Sequence, residues 1–266
     1  MSLDFSPYAA VFLDLDGTIY HETQVLPGAV ELVNRLKSSN TPFACLTNSG
    51  SSPLHAMENL EEMGIDIDPD NIYTAAAAAC DYVLEHFSSP GRKPKIFNLA
   101  TQSCHEMLDG SVDWVGRIDE LCDAVLVAGP LNKYANFERQ RIALELARRG
   151  ARIVGLCADR VYPSPRGLEF GSGAMSWFIA YAANVEPIFC GKPEEVFFRE
   201  LCSRLKVEPN RCLLIGDNLE SDIMGAKRVG MRTILTLTGV ARRSDLAIVA
   251  EDFKPDLVIE DLKELL

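Results

Sequence analysis

Short apolar runs of four to six residues alternate with longer stretches of helical periodicity along the chain. This alternation restricts the fold to an α/β protein with a parallel sheet, because strands read as continuous apolar runs only when both sheet faces are covered by helices. Val11-Phe12-Leu13-Asp14 reads as the first buried strand. A helix is expected from about Ala29 to Ser38, opened by Pro27-Gly28 and with Val30, Val33 and Leu36 on its apolar side. Phe43 to Leu46 is the next strand, and Pro53 then opens a helix at a position where its missing N–H is harmless. Near the far end come a strand at Cys212–Ile215 and a helix from about Leu219 to Val229 that stops at Gly230. Strands at Thr233–Leu237 and Leu257–Ile259 follow, with a short acidic helix last.

A second βα series sits in the middle. The breakers Pro90-Gly91-Arg92-Lys93-Pro94 precede strands at Ile96–Leu99, Ala124–Ala128 and Arg152–Leu156, with a long helix near Tyr134–Arg149. Residues 82–185 are therefore expected to be an inserted domain, leaving a discontinuous core of 1–81 and 186–266. A chain of 266 residues has room for this, at about 100–200 residues per domain.

Composition narrows the function. Hydrophobic residues at 47% and charged residues at 24% describe an ordinary globular protein and exclude a disordered or fibrous one. A net charge of −12 repels a nucleic acid polymer, but not a small phosphorylated metabolite whose pocket carries its own cations. The eight cysteines form no C-x-x-C pair and no zinc spacing, and read as reduced thiols. No basic segment precedes an apolar stretch at the start, and the uncharged run Phe170 to Val185 is too short to span a bilayer. A cytoplasmic protein without membrane contact is expected.

Four stretches carry the chemistry. Asp14-Leu15-Asp16-Gly17-Thr18 follows a strand directly, at the carboxyl end where open α/β sheets bind ligands. An acidic turn that only caps backbone groups is the alternative for the same residues. Leu46-Thr47-Asn48-Ser49-Gly50 is a second strand end, able to aim a hydroxyl and backbone donors at an anion or simply to cap the helix that follows. Gly191-Lys192-Pro193 holds one lysine between rigid neighbours, where a solvated surface lysine is the alternative. Ile215-Gly216-Asp217-Asn218 places another carboxylate at a strand end, and Asp222 stands where it could equally serve the helix dipole.

Together the four supply what phosphoryl transfer through an acyl phosphate needs. Asp14 is the candidate nucleophile, and Asp16 the candidate acid/base that protonates the leaving oxygen and later deprotonates water. A phosphate dianion beside Asp14 and Asp217 brings four negative charges together, each like pair opposing the other by about 4 kcal/mol at 4 Å and an effective dielectric near 20. Mg2+ and Lys192 would offset most of that charge, with Thr47 sharing the rest. Mg2+ is expected because every candidate ligand is an oxygen and no His or Cys stands near these motifs.

These four motifs, in this order, resemble the haloacid dehalogenase-like phosphatase superfamily. The stretch between Thr47 and Lys192 and the tail from Gly216 to Gly239-Val240 look like its type IIA branch, which includes sugar, nucleotide, phosphoglycolate and pyridoxal phosphate phosphatases. The resemblance implies a Rossmann-like, doubly wound parallel sheet with an inserted α/β cap. It also implies a homodimer through that cap and hydrolysis of a small phosphomonoester. By position, Asp14 is the implied nucleophile and Asp16 the acid/base. Mg2+ is implied on Asp14, on the backbone carbonyl of Asp16 and on Asp217, with Asp222 supporting from behind. Thr47 and Asn48 are implied phosphate contacts, and Lys192 the orienting cation.

The cap departs from the branch. Where many members carry Thr-Asn-Pro-Asp and then a Pro, this chain has Leu156-Cys157-Ala158-Asp159 and then Pro163, and Ala128-Gly129-Pro130-Leu131 replaces a Gly-Leu-Asp stretch. Asp159 and Arg160, with Tyr162 and Arg166, are the candidate specificity residues, a solvated polar loop being the other reading. A phosphometabolite sensor with weak turnover, or a phosphotransferase using the same intermediate, are the competing functions.

Overall fold

The computed structural model describes residues 3–39, 41–129, 136–164 and 167–266. Among these it divides into two compact units, one built from 1–47, 53–73 and 192–266 and the other from 48–52 and 74–191. The expected boundary at 81/82 falls inside the helix Ala75–Phe87. That helix is one piece, capped at its start by the Thr74 hydroxyl, which accepts from the Ala77 N–H at 3.1 Å. The final return to the core lies at 191/192 rather than 185/186, because the strand Ile188–Phe189 pairs in parallel with Arg152–Gly155 and so belongs to the middle sheet.

The core unit is organised by a six-stranded sheet in the spatial order Leu257–Ile259, Arg232–Thr236, Cys212–Gly216, Ala10–Asp14, Phe43–Thr47 and Ile72–Thr74. The pairings among its first five strands are parallel, with Leu13 opposite both Ile215 and Cys45. Ala10–Asp14, Phe43–Thr47 and Cys212–Gly216 are buried along their whole length, as expected of strands covered on both faces. One face packs Val11, Leu13, Cys45, Leu213 and Ile215 against Leu32, Val33 and Leu36 of the helix Ala29–Ser38 and against Leu60 of the helix Pro53–Glu62. Ala10–Asp14 is central and parallel to both its neighbours, so the three carboxyl ends lie side by side at the edge of the sheet where such folds bind ligands.

The segment after Cys212–Gly216 is not the single α-helix that the sequence suggests. It begins as a wide π-helical turn, Leu219–Met224, and tightens into the α-helix Gly225–Arg228. The Asn218 side chain accepts from the N–H groups of Glu220 and Ser221, while its carbonyl takes both Asp222 and Ile223 N–H at 3.1 Å.

The middle unit carries its own parallel sheet, in the order Ile188–Phe189, Arg152–Gly155, Ala124–Val127, Lys95–Leu99 and Asp113–Trp114. Its core joins Phe97, Val125, Val127 and Ile153 to Leu146 of the helix Phe137–Arg148 and to Met175 and Ile179 of the helix Ser172–Ala183. The expected start of the longer helix near Tyr134 lies outside the described residues, as do Pro130, Leu131 and Arg166. Among the described residues no helix is long and apolar enough to cross a membrane.

Candidate active site

Asp14 ends the central strand 5% exposed, and Asp217 lies one residue beyond the neighbouring strand at 2%. Lys192 and Asp222 are equally deep, at 3% and 0%. The Lys192 ammonium donates to Asp14 Oδ1 at 2.5 Å and to Asp222 Oδ1 at 2.7 Å. Thr18 Oγ1 donates to the other Asp14 oxygen at 3.1 Å, and the Asn218 N–H takes the other Asp222 oxygen at 3.1 Å. Asp222 therefore has both oxygens engaged, which suits a group that holds Lys192 in place. The wide turn at 219–224 carries Asp222 back against Gly216, where a Cβ would lie 2.6 Å from the Asp222 Cβ.

Asp217 is wedged in the same way. Its Oδ2 accepts from the Val240 N–H at 2.5 Å, and its backbone carbonyl accepts from Ala241. A Cβ at Gly17 would stand 2.5 Å from that carboxylate, and one at Gly239 would overlap it. Gly17 also has φ +88°, a conformation that L side chains rarely adopt, and its carbonyl accepts from Thr238 Oγ1 at 2.6 Å. Two glycines from opposite ends of the chain thus leave space for one carboxylate and fix its direction.

One oxygen each from Asp14, Asp217 and Asp222 lie within 4.8 Å of one another. Like charges at that distance oppose each other by roughly 3–4 kcal/mol at an effective dielectric near 20, and a single ammonium offsets only part of this. Burial first, then Asp217, pushes Asp14 up to about 6, against the pull of Lys192 and Thr18. Asp217 is likewise raised to about 6 by burial and Asp222, and Asp222 to about 6 by burial and Asp14. Burial works against the Lys192 charge, but Asp14 and Asp222 outweigh it and hold the ammonium above its ordinary range. The result is a buried, all-oxygen cluster with more negative than positive charge, which fits a hard divalent cation such as Mg2+.

Asp16 stands apart from this trio. Its side chain is 59% exposed, with Oδ1 3.8 Å from His21 Nδ1. Burial of its inner part raises its pKa, opposed by His21 and Lys192. A histidine and a cysteine do lie near the motifs, contrary to the sequence reading: His21 comes from the hairpin Tyr20–Val25, and buried Cys45 precedes Thr47 by two residues. Burial and Asp14 push the Cys45 thiol upward, so it stays protonated and offers no thiolate to a metal. Thr47 is buried at the end of the strand beside Asp14, whose register partner is Leu46.

Asn48 belongs to the middle unit, where Nδ2 donates to Asp159 Oδ2 at 3.0 Å. The Cys157 thiol donates to the same oxygen at 3.2 Å. Asp159 is half-buried, Arg160 is exposed, and Tyr162 is half-buried in the strand Val161–Ser164. Sequence reasoning assigned no role to Thr18, Thr238 or Gly239, all of which shape the site through hydroxyls or a missing side chain. Thr18 and Gly239 stood within quoted motifs, and that was their only signal.

Residues 11–111 match the haloacid dehalogenase-like hydrolase family and residues 189–265 a HAD-hydrolase-like family. An acid sugar phosphatase of Staphylococcus aureus is 31% identical over 97% of this chain and 96% of its own. A 4-nitrophenylphosphatase structure from Thermotoga maritima is 28% identical, with a TM-score of 0.86 over 98% of this chain and 97% of that one. A glycerol phosphate phosphatase from Mycobacterium tuberculosis, solved in complex with magnesium, shares the fold at a TM-score of 0.88 over 100% of this chain and 78% of that one, with 24% identity. The chain belongs to the haloacid dehalogenase-like hydrolases and is a phosphatase of their type IIA branch.

Proposed function

We propose that the chain hydrolyses a small phosphomonoester, a sugar phosphate or similar metabolite, through an aspartyl-phosphate on Asp14. The observation that carries this reading is the buried Lys192 shared between Asp14 and Asp222, with Asp217 in the same oxygen cluster. Lys192 and Thr18 hold Asp14 so that its carboxylate is both oriented and ionised at the moment of attack.

In the first half-reaction a carboxylate oxygen of Asp14 forms the new P–O bond, and the bond to the substrate oxygen breaks. The departing alkoxide takes its proton from Asp16, whose raised pKa suits an acid. In the second half Asp16, now ionised, removes a proton from water. The hydroxide attacks phosphorus, and the P–O bond to Asp14 breaks to regenerate the carboxylate and release inorganic phosphate. Lys192 and Thr47 balance charge on the phosphoryl oxygens. Mg2+ would be held by Asp14, Asp217 and the Asp16 carbonyl, and supplies a Lewis acid that screens the dianion from the carboxylates. The name of the Staphylococcus relative, an acid sugar phosphatase, supports a sugar phosphate as the first substrate to try.

The test is release of inorganic phosphate from an aryl phosphate and from a panel of sugar phosphates. Turnover is expected with Mg2+, and is expected to vanish in EDTA and in Asp14→Asn. Robust turnover in EDTA, or an active Asp14→Asn, would overturn the reading.

A further inference from the structure

The strand Phe43–Thr47 ends where the chain passes from one unit to the other, and the first three residues beyond it are each fastened to a different part of the middle unit. Asn48 Nδ2 donates to Asp159 at 3.0 Å. The Ser49 carbonyl accepts from the Ala76 N–H, at the start of the helix Ala75–Phe87, at 3.3 Å. The Gly50 carbonyl accepts from Thr101 Oγ1, the cap of the helix Gln102–Leu108, at 2.7 Å. On its other side the Asn48 amide is walled by Gly191, where a Cβ would fall 2.7 Å from Asn48 Oδ1.

Asp159 is the charged member of this set and is itself rigidly seated. Its backbone carbonyl accepts from the Gly173 N–H at 3.0 Å. A Cβ at Gly171 would overlap that carbonyl, and one at Gly173 would overlap the backbone of Ala158. Two glycines therefore let the loop press onto the start of the helix Ser172–Ala183. The Asp159 carboxylate then takes two donors on one oxygen, from Asn48 and from the Cys157 thiol. The bond from Asn48 joins residues 111 apart in sequence.

We propose that Asp159 is a positioning residue: by holding the Asn48 amide it fixes the backbone just past Thr47, and so the place of the Thr47 hydroxyl at the strand end. Asp159 acts through Asn48 as a hydrogen-bond acceptor; neither its charge nor contact with substrate is required. This rests on the reading of Thr47 as a phosphate contact.

Acceptor and charge separate cleanly by substitution. Asp159→Asn keeps an oxygen that can accept from Asn48, while Asp159→Ala keeps none. Asp159→Ala is expected to raise KM for an aryl phosphate, and the inhibition constant of inorganic phosphate, by roughly tenfold with a smaller change in kcat. Asp159→Asn is expected to remain within about threefold of the parent. Asn48→Ala is expected to weaken phosphate binding to a similar degree, and Asn48→Ala with Asp159→Ala no further, because the two residues act as one unit. Equal losses in Asp159→Asn and Asp159→Ala, additive losses in the double variant, or no effect of Asp159→Ala would each overturn the proposal. Circular dichroism and melting of every variant identify one that has merely failed to fold, and Asp159→Asn then decides alone. An active Asp14→Asn would strike the phosphatase mechanism instead, so the two failures are distinguishable.

Discussion

The core and the middle unit are made by the same physics and differ in what stands at their strand ends. Each has a parallel sheet of buried strands with helices packed against it. In the core, the ends of Ala10–Asp14 and Cys212–Gly216 deliver Asp14 and Asp217 into a cluster that one lysine cannot neutralise. In the middle sheet the comparable polar residue is Asn98, 3% exposed near the end of Lys95–Leu99 and satisfied within its own turn. Its Oδ1 accepts from the Ala100 N–H at 2.9 Å, and its Nδ2 donates to the Thr101 carbonyl at 3.1 Å. A strand end is thus only a place; a site arises when the groups put there leave charge that the protein itself does not balance.

The sharpest break of this comparison is to exchange a polar group at each end. Asp14→Asn is expected to lower kcat by at least about 10³-fold with little loss of fold. Asn98→Ala should leave kcat within about twofold but destabilise the chain by about 1–3 kcal/mol in chemical denaturation. A large catalytic loss in Asn98→Ala would mean that the middle unit's strand ends also do chemistry.

Next in size is the glycine wedge. Gly239→Ala puts a methyl into the Asp217 carboxylate and should raise the Mg2+ concentration for half-maximal turnover by about 10–100-fold. The companion Gly64→Ala probes a glycine of positive φ whose Cβ would meet nothing, and should leave that requirement alone.

The charge surplus itself predicts an unusual pH dependence. Asp217 is raised to about 6 from an unfolded value near 4, so the folded state binds its proton more tightly. Its contribution to stability is complete below about pH 4 and is lost as pH rises through about 6. In EDTA at pH 7.5, Asp217→Asn should therefore be more stable than the parent, by about 1–2 kcal/mol. Mg2+ should stabilise the parent and not the variant. A destabilised Asp217→Asn in EDTA would show that the cluster is not electrostatically strained.

The smallest effect is an ordinary balanced group on the same sheet. Asp256 bonds Lys227 and Arg232 at 2.7 and 2.6 Å and accepts from Thr233. Although partial burial resists its charge, these partners hold its pKa at about 2. Here the sign reverses: the stabilisation is present above about pH 4 and is lost as pH falls through about 2. Asp256→Asn should cost about 1 kcal/mol at neutral pH, and that cost should shrink to a small fraction as the pH falls to about 2, since the pair is partly wet.

How much of this was legible in the sequence follows the same division. The core strands and the helix Ala29–Ser38 could be read because fully buried runs and an amphipathic stripe both leave patterns in one dimension. The helix Ser172–Ala183 could not: it buries Met175 and Ile179 while exposing Trp177, Phe178 and Tyr181, so apolar residues occupy both faces and no period emerges. The hairpins Tyr20–Val25 and Val161–Phe170 are too short for alternation to register. At the site, Asp14, Lys192 and Asp217 were visible as residue types that a strand end does not otherwise need. The wedging of Asp217 by Gly17 and Gly239 was invisible, since nothing in sequence links positions so far apart. The resemblance implies Asn48 as a phosphate contact, and what the sequence does not show is that its side-chain Nδ2 is bound to Asp159 across 111 residues.

The most direct test of the central claim is chemical trapping. A turnover mixture with Mg2+ and an aryl phosphate is quenched in acid within the first catalytic cycle, reduced with borohydride and digested for peptide mass spectrometry. Homoserine at position 14, absent without substrate, is the expected result. Homoserine at another aspartate, or an unmodified Asp14 while a stoichiometric burst of alcohol is released, would contradict a mechanism in which Asp14 carries the phosphoryl group.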